Sequence, residues 1–203
     1  MKRLTGILLA LALMLSTGLT VFAEPGTSQP IIKQIYGGGG KGETPIGNSF
    51  DELYNPTDAE INLSGYTLTD GTTTLTLEGT IPANGSYLII GAAEITTDEL
   101  LTYDLPEADM TCDWMINNKS YTISLLADSV EVDSVTAGSS EETKISKQKS
   151  LKRNDVGNFE IVVWEKDSVT VDEAYVAANA PRNSKGNTAL FIPSKRNRCT
   201  LRQ

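Results

Sequence analysis

The chain has 203 residues, with 17 Lys plus Arg, 26 Asp plus Glu, no His and a formal net charge of −9. Without His there is no Ser-His-Asp or Cys-His dyad, no imidazole base, and no His-bound zinc or iron. Two Cys cannot build a four-thiolate zinc site or an iron–sulfur cluster. What survives is carboxylate chemistry, carboxylate-bound calcium or magnesium, a Ser-Lys nucleophile, or no chemistry.

Met1-Lys2-Arg3 precedes an apolar run from Leu4 to Leu15, and Val21-Phe22-Ala23 leads into Glu24-Pro25. A basic start, a short apolar stretch and a small-residue ending form the pattern of a secretory signal peptide, cleaved after Ala23. A membrane anchor is the alternative, but Ser16, Thr17 and Gly18 break the stretch. No later segment has the roughly twenty apolar residues a span requires. The expectation is a signal peptide at 1–23, a linker at 24–30, and a mature chain secreted or held at the extracellular surface with no transmembrane anchor after cleavage. Neither a sortase motif nor a lipobox is present, so release or non-covalent retention is expected.

From 31 onward, short runs rich in Ile, Val, Leu, Thr, Tyr and Phe alternate with Gly, Asn, Asp and Pro, the pattern of an all-β chain. IIKQIY at 31–36 predicts a strand before the glycine-rich 37–42. SFDELYN at 49–55 is closed by Asn55-Pro56. INL at 61–63 leads through Ser64-Gly65 into YTLT at 66–69, and Asp70-Gly71 is a hairpin dipeptide. TTTLTLEG at 72–79 puts Leu75 and Leu77 on one face; Pro82-Ala83-Asn84-Gly85 then turns the chain into YLIIG at 87–91. Within 92–119, Thr96 and Glu99 form a capping box that predicts a short helix. YTISLLAD at 121–128 and VEVDSV at 130–135 flank Asp128-Ser129. Residues 136–158 read as a long polar loop with one brief pairing segment, and FEIVVWE at 159–165 as the last strand. Roughly eight or nine strands suit one Greek-key sandwich in a single domain at 31–187, followed by a basic polar tail at 188–203 expected to be disordered.

Charge is unevenly placed. Residues 24–143 carry 20 acids and 3 bases, whereas 144–203 carry 12 bases and 6 acids. That asymmetry marks either an interaction surface or two regions that neutralise one another in the fold. Lys147, Lys149, Lys152 and Arg153, in a stretch that Lys144 opens, are candidate anion contacts. They lack the interleaved aromatics that stack bases, so nucleic acid is not the expected partner. Asp98, Glu99, Asp104, Glu107, Asp109 and Asp113 form an acidic stretch that could offer oxygens to calcium, but its spacing matches no calcium loop. Cys112 and Cys199 could pair outside the cell; a disulfide, two free thiols and an intermolecular bridge all stay open.

In this order the motifs resemble the lamin-tail domain family, an immunoglobulin-like sandwich. The matching elements are IIKQIY, DELYNP at 51–56, LSGYTLTD at 63–70, TIPANGSYLII at 80–90, VEVDSV and KSLKR at 149–153, with APRNSKGN at 180–187 near the close. The chain departs from the family pattern at Asp51, where an aliphatic residue is usual, and at Pro181-Arg182, where Pro-Gly is usual. The resemblance makes Glu52, Asn55, Pro56 and Gly65 a structural signature rather than catalytic groups. It implies a non-enzymatic secreted or cell-surface interaction or tethering module, with no catalytic, cofactor or metal residues and no cofactor. The expected partner is a cell-envelope polymer or another secreted protein. Two alternatives stand beside it: a small extracellular hydrolase using carboxylates and a divalent metal, and a truncated, non-catalytic fragment of a larger secreted hydrolase.

Overall fold

A bulge in the first strand sorts its side chains between two layers. β1 (Ile31–Tyr36) pairs antiparallel with β2 (Phe50–Tyr54), and the register shifts between Ile32 and Gln34. The extra residue lets Ile32 and Ile35 enter the same core despite their odd spacing, while Tyr36 enters a second one. In the computed structural model the described residues are 28–38, 44–92, 103–141, 143–165, 172–188 and 190–191.

The remaining elements are β3 (Ile61–Asn62), β4 (Tyr66–Thr69), β5 (Thr74–Thr76), β6 (Thr80–Ile81), β7 (Ser86–Ile90), β8 (Tyr103–Asp104), β9 (Met110–Thr111), β10 (Tyr121–Ala127), β11 (Val130–Ala137), β12 (Lys149–Arg153), β13 (Phe159–Val163), α1 (Glu173–Asn179) and β14 (Leu190–Phe191). They form a six-stranded sheet, β13-β12-β1-β2-β7-β9, facing a four-stranded sheet, β11-β10-β4-β5. Two short pairs, β14-β8 and β3-β6, complete the described structure. The protein is an all-β, immunoglobulin-like Greek-key sandwich.

The main core lies between the sheets. Ile32, Ile35, Leu53 and Ile89 from one side meet Leu68, Ile123, Leu125 and Val135 from the other. β10 alternates cleanly: Tyr121, Ile123 and Leu125 point inward, and Thr122 points to solvent. Asp128 and Ser129 both take positive φ, 48° and 69°, as a two-residue hairpin turn between β10 and β11 requires.

The six-stranded sheet is covered on its outer face as well. Tyr36, Phe50, Leu88, Val162 and Trp164 pack there against Ile46, Tyr103, and Val176 and Ala180 of the α1 region. Tyr36 stacks on Phe50 with centroids 5.7 Å apart, and Tyr103 meets Trp164 edge-on at 5.2 Å. Each such buried side chain contributes about 2 kcal/mol. Double coverage explains why β2 and β7 read as unbroken buried runs rather than as alternating ones.

Three features depart from the sequence expectations. The pairing segment inside 136–158 is β12, an interior strand hydrogen-bonded to both β1 and β13. The helix α1 follows 165, where none was expected, and Asp172 caps it by accepting from the N–H groups of Ala174 and Tyr175. Leu190 and Phe191 pair with Asp104 and Tyr103, so strand structure continues past 187 into the stretch read as a disordered tail. The helix expected at 96–101 lies outside the described residues. Cys112 is a free, partly buried thiol.

Candidate functional site

Glu52 lies on the outer face of the six-stranded sheet, buried near the α1 region. Its carboxylate accepts from the Ser86 hydroxyl at 2.6 Å and from the backbone N–H of Arg182. Burial raises its pKa to about 6; the Ser86 bond, then the Lys152 charge, work against that rise. Burial also depresses Lys152, and Glu52 only partly restores it. Desolvation therefore outweighs mutual attraction on both partners.

Asn55 ends β2 and is fully buried. Its amide nitrogen donates to the carbonyls of Ala59, Ile81 and Pro82 at 2.7, 3.2 and 3.0 Å. Its oxygen accepts from Thr57 N–H and Oγ1. One side chain thus joins the end of β2 to the 57–59 turn and the approach to β7. Pro56, beside it, is exposed and stops the strand. Gly65 takes φ +87°, and a Cβ there would come within 2.8 Å of Asp128 Oδ1.

The four candidate anion contacts do not form one surface. Arg153 Nη2 bonds both oxygens of Asp133 at 2.7 Å, its Nε donates to Ile32 O, and its guanidinium lies over the Phe159 ring. Lys152 Nζ donates to the Ala178 carbonyl near the end of α1. Lys149 is half-buried where β12 begins, and the backbone carbonyl of Lys147 accepts from the Tyr36 hydroxyl. Lys152 and Arg153 are therefore engaged within the fold, the first beneath α1 and the second between the sheets.

The acidic stretch is likewise dispersed. Asp109 accepts from the N–H groups of Leu88 and Ser184 and from the Ser184 hydroxyl. Glu107 pairs with Lys185 at 2.7 Å. Asp98 and Glu99 lie outside the described residues. Among the described residues, no three His, Cys, Asp or Glu side chains gather to hold a metal ion. The Arg153–Asp133 and Lys185–Glu107 pairs both link the basic third to the acidic body, so part of the charge asymmetry is neutralised within the fold.

One surface escaped the sequence reading. With the six-stranded sheet covered on both sides, the outer face of the four-stranded sheet is left open to solvent. Cross-strand pairing lines up Thr74, Thr69, Ser124 and Ser134 across four strands, with Thr67 paired to Thr76 and Thr122 to Thr136 on the flanks. The Thr122 and Thr136 hydroxyls are 3.0 Å apart, and Thr74 Oγ1 is 3.2 Å from Thr69 Oγ1. The result is a face rich in uncharged hydroxyls, on which Leu126 and Glu131 continue the Thr76–Thr67 row across β10 and β11. Alternate threonines at 67 and 69 and at 74 and 76 were the available signal.

A model of the Lamin Tail Domain family matches residues 23–139. The chain belongs to that family. No curated protein matches it. The lamin-tail family is one of non-catalytic, immunoglobulin-like domains. The matched residues run from the first strand through β11, yet β12 lies between β1 and β13 in the larger sheet. This lamin-tail sandwich is therefore completed by strands that follow the matched segment.

Proposed function

We propose that the protein is a non-enzymatic interaction module acting outside the cytoplasm, secreted or held at the cell surface, and that it binds a hydroxyl-rich polymer of the cell envelope. The observation that carries this reading is the open face of the four-stranded sheet. The uncharged row of Thr74, Thr69, Ser124 and Ser134 can exchange hydrogen bonds with a neutral glycan without stripping water from an ion in that row. The engagement of Lys152 and Arg153 within the fold argues against a polyanion, and membership of a non-catalytic family argues against turnover.

The test is affinity capture from a cell-envelope extract by immobilised residues 24–203. Enrichment of an envelope glycan supports the reading. Recovery of background proteins and glycans alone counts against it. Amino-terminal sequencing of the protein from culture medium and from the envelope checks the compartment, with Glu24 as the expected first residue.

A further inference from the structure

β2 carries two adjacent acids, and alternation sends them to opposite faces of the sheet. Glu52 has hydrogen-bond donors on the outer face. Asp51 points into the main core, only 3% exposed, between Ile35 of β1 and Ile89 of β7, and its Oδ1 has no hydrogen-bond partner. The titratable groups near it are the Tyr121 phenol on β10 and the Cys112 thiol just after β9. Both are neutral at physiological pH, and no lysine or arginine contributes at this position. An ionised carboxylate here would be a buried, unpaired charge. The side chain is therefore held as the neutral acid.

The neighbouring wall of the core ends in the shortest strand of the larger sheet. β9 is two residues long, sits at the edge, and pairs with β7 through Ile89–Met110 and Ile90–Thr111, with backbone bonds from Asp109 N–H to Leu88 O and from Cys112 N–H to Ile90 O on either side. Cys112 follows it directly and lines a cavity of about 360 Å³ together with Asp70, Leu75 and Trp114. Asp51 acts electrostatically on the Cys112 thiol, so this short edge is the stretch of sheet that separates it from that cavity.

We propose that Asp51 is a proton-dependent latch: the sandwich closes over it by taking up one proton, and loss of that proton opens the β9 edge around Cys112. Burial raises the Asp51 pKa from 3.8 to about 8. In the opened state the carboxyl is solvated and titrates near its ordinary value. The closed form binds the extra proton between those limits, so closure is strongest in acid and weakens as pH rises.

The experiment measures labelling of Cys112 by a neutral thiol reagent, with the full mature chain in a Cys199→Ser background. Wild-type Asp51 is compared with Asp51→Asn at each pH, so that the thiol's own titration cancels. The latch predicts that the wild-type to variant rate ratio climbs by up to about tenfold per pH unit from about pH 5 and levels off near pH 8. It also predicts an infrared carbonyl band of a protonated carboxyl at about pH 6 in the wild type, absent from the variant. A ratio that does not change with pH, or a wild type without that band, overturns the proposal. If Asp51→Asn does not fold, Asp51→Val serves as the non-titrating reference, and the same two outcomes decide.

Discussion

Asp133 on β11 and Arg153 on β12 join the two sheets through a salt bridge in which both carboxylate oxygens lie 2.7 Å from Arg153 Nη2. Asp133 Oδ2 also accepts the N–H of Ile32 at 2.7 Å, so the pair ties three strands at one edge of the sandwich. Both side chains are largely buried. Removing one partner strands the other, and Asp133→Ala or Arg153→Ala should cost about 3 kcal/mol. Arg153→Lys should not rescue, because a single ammonium cannot serve Asp133, Ile32 O and Gly157 O together. Urea denaturation of the four proteins checks both statements.

Asn55 is satisfied on both its amide nitrogen and its oxygen, in a site closed to water. Asn55→Ala should cost about 3 kcal/mol, since carbonyls of Ile81 and Pro82 lose their donor. Asn55→Asp should be no milder, because it sets a carboxylate against the three carbonyls that the amide now serves. Thermal melts of both variants measure this.

Gly65 and Gly71 share a positive φ, +87° and +84°, but differ in surroundings. An Ala at 65 would meet the Asp128 carboxylate as well as the strain, whereas nothing lies within 4 Å of a Cβ at 71. Gly65→Ala should therefore cost at least about 1 kcal/mol, and Gly71→Asn, which tolerates this backbone region, close to nothing. Equal losses at the two sites would contradict the contact.

Glu52, with its pKa raised to about 6 by burial, adds stability that is fully present below its ordinary value near 4.5 and lost as pH rises through about 6. Glu52→Gln should reduce the slope of that part of the stability–pH curve and leave the higher range unchanged. Asp51 contributes from about 3.8 to about 8, so the two carboxyls overlap below about pH 6 and Asp51 alone acts above it. Melting temperatures across pH for the single variants resolve them.

Much of the sandwich could be read from residues whose pattern has a single physical cause. YTISLLA alternates because one face is wet, and Asp128-Ser129 turns because short polar side chains tolerate positive φ. β12 was obscured because KSLKR carries only one core residue, Leu151. Its other inward demands are met by Ser150, bonded to Gln34 and Trp164, and by Arg153, bonded to Asp133. Those are tertiary partners that no local window contains. α1 was missed for a related reason: seven residues with one buried side chain, Val176, have almost no period. The hydroxyl face was hidden for another. Threonine on a strand is expected from β-propensity alone, and only the covering of the other sheet makes this face the open one.

Glycan binding through the hydroxyl face is tested by co-sedimentation of residues 24–203 with purified envelope glycan. Ser124→Lys places one charge in the middle of the hydroxyl face, and Val156→Lys places one on a remote exposed turn. The wild type and Val156→Lys should pellet with the glycan, while Ser124→Lys should stay in the supernatant with an unchanged melting temperature. Equal pelleting of all three would contradict the assignment of the face, and no pelleting of the wild type would contradict the binding function itself.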